Sequence, residues 1–133
     1  MIRNILLVTL MLTLIACADN AVRNKIEDLD KSIDNYAYAL RWMRKEDAVA
    51  FHRRPDGSRP VIDTKMMDVV RVTGFNIKEK TLAADLNGAS VTGELSYINN
   101  EYGTLKTIEY KQSWWYEPIT KKWYVDNDFP QFK

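Results

Sequence analysis

Apolar residues in the first half of the chain recur with the spacing of an amphipathic helix. Seven positions, alternately four and three residues apart, form one stripe: Val22, Ile26, Leu29, Ile33, Tyr36, Leu40 and Met43. Charged residues fill the positions between them, so one helix face is expected to pack on a core and the other to meet solvent. A coiled coil is the alternative interpretation of the same stripe. Residues 45–47 interrupt it, and residues 48–51 predict a second short helix that ends before Pro55.

From about residue 67 the apolar residues alternate with period two, which indicates β-strands. In the first strand the alternation changes parity at Gly74, a position that predicts a β-bulge. Three further strands are expected over residues 89–98, 104–116 and 122–126, separated by short turns. Short turns join antiparallel neighbours. The chain is therefore predicted to have an α+β fold, with a long and a short helix packed on a curved, cone-like sheet of four antiparallel strands.

The segment that precedes the helical stripe has the pattern of a secretory signal. Arg3 is followed by fourteen uncharged residues, 5–18, which are mostly aliphatic. As a helix they span roughly 21 Å, less than the ~30 Å of a hydrocarbon core. A cleaved leader is therefore favoured over a permanent membrane span.

The end of this leader resembles the lipobox of bacterial lipoproteins, because Leu14, Ile15 and Ala16 directly precede Cys17. The resemblance implies a signal peptide over residues 1–16 and a mature domain over 17–133. It also implies acylation of Cys17 with chains such as palmitate, which would attach the domain to a membrane. Ala18, where an aspartate would favour retention in the inner membrane, implies an outer-membrane location facing the periplasm. Alternatively, Cys17 is only an apolar residue of the leader.

Composition excludes several classes of function. The chain has 19 Lys+Arg against 18 Asp+Glu, which gives no electrostatic basis for binding nucleic acid. One cysteine and one histidine exclude an internal disulfide framework and argue against a Cys/His zinc site. No metal and no cofactor are predicted.

The order of elements, together with the aromatic hairpin over residues 114–125, resembles the nuclear transport factor 2-like superfamily. The resemblance covers about residues 20–129. It implies a sheet wrapped around a long helix, and the superfamily contains isomerases, dehydratases and non-catalytic binding modules. Cystatin-like domains have a similar order of elements and are the alternative fold.

Candidates for acid–base chemistry are few. His52 has an unperturbed pKa near neutrality, but at the end of a short helix it is more typical of a partly exposed surface residue. The aspartate pairs 63 and 68, and 126 and 128, lie next to strand ends, where acids are usually solvated. Neither a nucleophilic serine motif nor a glycine-rich phosphate loop is present.

Aromatic residues give the strongest indication of a binding site, since ten of the fifteen lie between Tyr97 and Phe132. If one face of the sheet lines the cone, it forms an apolar pocket with a few polar groups. The residues of this candidate ligand pocket are Tyr36, Tyr97, Tyr110, Gln112 and Trp114. Trp115 points to the opposite face and is the candidate interaction surface. Ordinary core packing and a shielded surface tryptophan are the alternatives.

These patterns favour a non-enzymatic envelope lipoprotein that binds a small apolar ligand or a protein partner. An isomerase- or dehydratase-like enzyme that uses the cone pocket is one alternative. A structural subunit of an envelope assembly, docked through Trp115, is another, and the sheet is also a possible surface for a homodimer.

Overall fold

The structure, a computed structural model, describes the backbone of residues 2–133 and the side chains of residues 17–133. Two helices, α1 (Ile2–Arg41) and α2 (Lys45–Ala50), precede a 3₁₀ turn (Lys65–Asp68) and four strands. The strands are β1 (Val70–Leu82), β2 (Gly88–Asn99), β3 (Thr104–Glu117) and β4 (Lys122–Val125). They pair in chain order as one antiparallel sheet that does not close. The predicted α+β fold is confirmed. The side chains of the predicted leader, residues 1–16, lie outside the described residues.

The apolar stripe of α1 becomes more buried along the helix. Val22 is 41% exposed and Ile26 is half-buried, whereas Leu29, Ile33, Tyr36 and Leu40 are buried in a core shared with the sheet. The stripe therefore packs on the sheet, as the core-packing interpretation predicts. Residues 17–24 are all exposed, so this stretch of α1, about 12 Å long, lies beyond the packed domain.

The strands follow the predicted alternation. On β3, Tyr110, Gln112 and Trp114 face the core. The expected irregularity at Gly74 is confirmed by a register shift between Val72 and Gly74, and a second shift, which the sequence did not predict, lies between Ile77 and Glu79.

Two predicted boundaries were wrong. Helix α2 begins at Lys45 and not at residue 48, because the chain breaks earlier, where Met43 adopts a left-handed φ of 58°. The first strand begins at Val70 and not near residue 67, because residues 65–68 form the 3₁₀ turn.

Residues 51–53 cover the outer edge of β4. The Val125 amide donates to the Phe51 carbonyl at 2.7 Å, and the Arg53 amide donates to the Val125 carbonyl at 3.0 Å. This bridge protects the edge strand and draws His52 towards the core.

The segment of residues 126–133 folds back over the core. Phe129 and Phe132 are buried, and the ring of Phe132 lies 5.1 Å from that of Tyr97. The Tyr97 hydroxyl donates to the Lys133 carbonyl at 2.9 Å and accepts from the Lys133 amide at 3.0 Å. The interior of the sheet is therefore covered by the chain itself.

Candidate functional site

The five residues predicted to line a ligand pocket are all buried in the core. The ring of Trp114 packs edge-to-face against those of Tyr36, at 6.0 Å, and Phe51, at 5.9 Å. Its indole nitrogen donates to Gln112 Oε1 at 2.8 Å. The structure therefore brings Tyr36, Gln112 and Trp114 together as packed core side chains.

Tyr110 also borders open space. It lines a surface groove of about 620 Å³ between β3 and residues 126–133, the covering segment. Ile108, Asn127 and Phe129 are among the other residues that line this groove. Tyr97 does not line this groove, but its ring packs on Phe132 and its hydroxyl bonds to Lys133, which does line it. Gln112 Nε2 is buried and makes no hydrogen bond among the described residues.

His52 is 1% exposed, so its interpretation as a partly exposed helix-end residue was wrong. The reason is the bridge to β4, which places the imidazole between α1 and the covering segment. Its Nδ1 lies 2.8 Å from the Asn127 carbonyl oxygen, and its Nε2 lies 2.7 Å from the Tyr36 hydroxyl. The Tyr36 hydroxyl in turn lies 3.0 Å from that of Tyr110.

The atoms that can only donate or only accept determine where the protons lie in this series of hydrogen bonds. A carbonyl oxygen only accepts, so Nδ1 of His52 carries a proton and donates to Asn127. With neutral His52, Nε2 accepts from Tyr36, and Tyr36 accepts from Tyr110. Protonating Nε2 reverses both bonds, and the Tyr110 hydroxyl then donates to the Asp128 carbonyl, 3.4 Å away. Both protonation states keep every donor partnered.

Burial decides which protonation states are populated. It lowers the pKa of His52, a shift that the hydrogen bond to Asn127 and the charge of Asp128 only partly offset. Burial likewise raises the pKa of Tyr36 well above its ordinary value and that of Tyr110 to about 12. The three side chains are therefore uncharged near neutral pH.

We predict that the protein loses stability as the pH falls below about 6.5, the ordinary pKa of histidine. The folded chain binds a proton on His52 less readily than the unfolded chain, so the free energy of unfolding decreases until the pH is below the folded pKa. Urea unfolding between about pH 5 and pH 8 measures this slope.

Since His52 is the single histidine, His52→Asn is the matched control, and its amide nitrogen can replace the Nδ1 donor. The variant is expected to show a flatter slope near pH 6. An unchanged slope would contradict the assignment to His52.

The four candidate aspartates lie on the surface. Asp63 accepts from the Lys65 amide, and Asp68 pairs with Lys45. The carboxylate oxygens of Asp126 and Asp128 lie 3.9 and 3.8 Å, respectively, from guanidinium nitrogens of Arg54. Neither pair converges on a sheltered cavity.

Trp115 lies on the opposite side of β3 from Trp114 and is half-buried. Its ring packs on Tyr124 at 5.5 Å, and its indole nitrogen donates to the Arg53 carbonyl at 2.6 Å. The Arg53 guanidinium lies 5.5 Å above the Tyr124 ring. Trp115 is thus partly shielded, and its role as an interaction surface stays a prediction.

A more exposed aromatic pair was missed in the sequence. Tyr38 is 54% exposed and Trp42 is 59% exposed, with ring centroids 6.1 Å apart. The Arg41 guanidinium lies 5.7 Å from the Trp42 ring. Both aromatics lie outside the apolar stripe and are one helical turn apart. This i, i+4 spacing of aromatic residues on the polar face is visible in the sequence and could have indicated the pair.

Cys17 is exposed on α1, on the stretch that extends beyond the domain. Among the helices of the described residues, none is long and apolar enough to cross a membrane. Within the same residues, no group of three His, Cys, Asp or Glu side chains is arranged to hold a metal ion.

Comparisons with protein-family models, curated proteins and solved structures found no match to this chain.

Proposed function

We propose that the chain is an envelope lipoprotein, acylated at Cys17 and held at the outer membrane on its periplasmic side. Its domain acts as a non-enzymatic interaction module with a nuclear transport factor 2-like or cystatin-like arrangement of helix and sheet. The lipobox pattern at residues 14–17 and the exposed position of Cys17 support the anchor, since acylation requires an accessible thiol.

The observation that best supports an interaction module is that the interior of the domain is filled by its own side chains. The candidate pocket residues pack against one another, and Phe129 and Phe132 cover them. The domain is therefore expected to bind a partner through its surface. Aromatic side chains and arginine are the residues most often found at binding hot spots.

The Tyr38–Trp42 pair with Arg41 is the best-exposed surface of that composition among the described residues. It lies at the end of α1 remote from Cys17, which is 25 residues earlier, or about 37 Å along the helix. An anchored chain would thus present this pair away from the bilayer. Trp115 with Tyr124 is a second, less exposed candidate contact.

Site-specific photo-crosslinking in intact cells tests this function. A photoreactive amino acid at position 42 is expected to give one discrete higher-mass adduct, which Tyr38→Ala weakens. The matched control is position 102, since Tyr102 is an aromatic residue that is 77% exposed on the β2–β3 turn. Equal adduct patterns at the two positions, or none at position 42, would contradict a partner surface at the pair.

A small-ligand or isomerase-type site in the interior is the second candidate. Two observations favour it, namely the buried His52–Tyr36–Tyr110 hydrogen bonds and Gln112 Nε2, which has no hydrogen-bond partner among residues 17–133. Entry of a ligand would require the covering segment, residues 126–133, to move. Phe129→Ala should then increase binding of a hydrophobic dye probe to the folded protein, and unchanged dye binding would argue against this site.

A further inference from the structure

Two turns meet the region of α1 around Lys25 at one end of the sheet. Lys25 of α1 reaches both turns, because its ammonium group bonds to Asn87 near the β1–β2 turn and lies 4.2 Å from the Tyr116 ring near the β3–β4 turn. Its carbonyl accepts from the Trp123 indole at 3.1 Å. Lys25 follows Cys17 by eight residues, which is about 12 Å of helix. If Cys17 is acylated, as proposed above, these turns face the bilayer.

The β3–β4 turn also extends in that direction. Its last strand pair is Glu117 with Lys122, so residues 118–121 project beyond the contacts of α1 with Tyr116 and Trp123. At its tip Ile119 is 89% exposed.

This turn is preformed. The Glu117 carboxylate accepts from the Ile119 amide at 3.1 Å, and from the amide and hydroxyl of Thr120 at 2.6 and 2.5 Å. The negative charge of Glu117 is therefore directed back into the turn. Lys121 and Lys122 are exposed beside the apolar tip. An exposed aliphatic residue followed closely by two lysines has the composition of an interfacial membrane contact.

We infer that the β3–β4 turn is a second membrane contact of the anchored protein. Ile119 enters the interface of the bilayer, and Lys121 and Lys122 bind the phosphates of anionic lipids. The inference rests on the proposed anchor. Two membrane contacts would fix the orientation of the domain. The end of the sheet at residues 118–121 would lie on the membrane, and the Tyr38–Trp42 pair would point away from the membrane.

A fluorophore on the turn tests this inference. Cys17 is the single cysteine and would be acylated, so Ile119→Cys supplies a unique free thiol for an environment-sensitive label. The acylated protein is placed in vesicles of phosphatidylcholine and phosphatidylglycerol that contain nitroxide headgroup lipids. Tyr102→Cys is the matched control, because the β2–β3 turn lies at the opposite end of the antiparallel sheet.

The label at position 119 is expected to emit at shorter wavelength and to be quenched about twofold or more compared with position 102. Replacing Lys121 and Lys122 by glutamine should reduce this quenching in anionic vesicles. Equal, water-like signals at both positions on a protein whose mass includes the acyl chains would overturn the membrane contact alone. A protein without acyl mass would instead overturn the proposed anchor, and with it this orientation.

Discussion

Cys17→Ser is expected to abolish incorporation of a labelled fatty acid and to leave the precursor uncleaved. A hydroxyl cannot replace the thiol that carries the acyl chain, and lipoprotein processing depends on that modification. Each buried methylene contributes about 0.8 kcal/mol to membrane binding, so two or three acyl chains suffice to hold the mature domain at the bilayer. Radiolabelled palmitate and electrophoretic mobility measure the two effects.

The matched control is Asn24→Ser, which introduces serine at an exposed position of the same helix but leaves the thiol in place. This variant should mature and partition as the parent chain does. Normal maturation of Cys17→Ser would contradict the proposed anchor.

Trp114→Ala is expected to have the largest effect on stability, a loss of about 3–5 kcal/mol in the free energy of unfolding. The ring is 2% exposed and packs against Tyr36 and Phe51, so its removal leaves a cavity. The substitution also removes the indole N–H, which is the only hydrogen-bond partner of the Gln112 side chain among the described residues. Gln112 Oε1 then becomes a second buried polar atom without a partner, beside Nε2. Denaturant unfolding monitored by circular dichroism measures the change.

The neighbouring Trp115→Ala is the natural control, because its side chain lies on the other face of the same strand and is half-buried. It loses the contact with Tyr124 and one hydrogen bond to the Arg53 carbonyl, a cost of roughly 1–2 kcal/mol. A loss for Trp115→Ala as large as that for Trp114→Ala would contradict the observed faces of β3.

The regular elements were largely predictable because their periodicity is local. The part of the stripe from Leu29 to Leu40 defined the buried face of α1, and the alternation at Tyr110, Gln112 and Trp114 defined the inner face of β3. Gly74 marked the first bulge, whereas the shift after Ile77 has no glycine to signal it.

The candidate site was less predictable, because it depends on contacts between distant segments. His52 is buried by its bridge to Val125, 73 residues later, and no local pattern encodes that pairing. The covering segment has neither helical nor strand periodicity, so its closure over Tyr97 through Phe132 could not be read from the sequence. The sequence pattern assigned Tyr36, Gln112 and Trp114 to one inner face, but it did not distinguish an open pocket from a packed core.

The intact mass of the protein extracted from the membrane fraction of its own cells tests the central proposal most directly. We predict a chain that begins at Cys17 and carries the added mass of two or three acyl chains. A full-length chain of 15.5 kDa, free in the cytosolic fraction and without lipid mass, would contradict it.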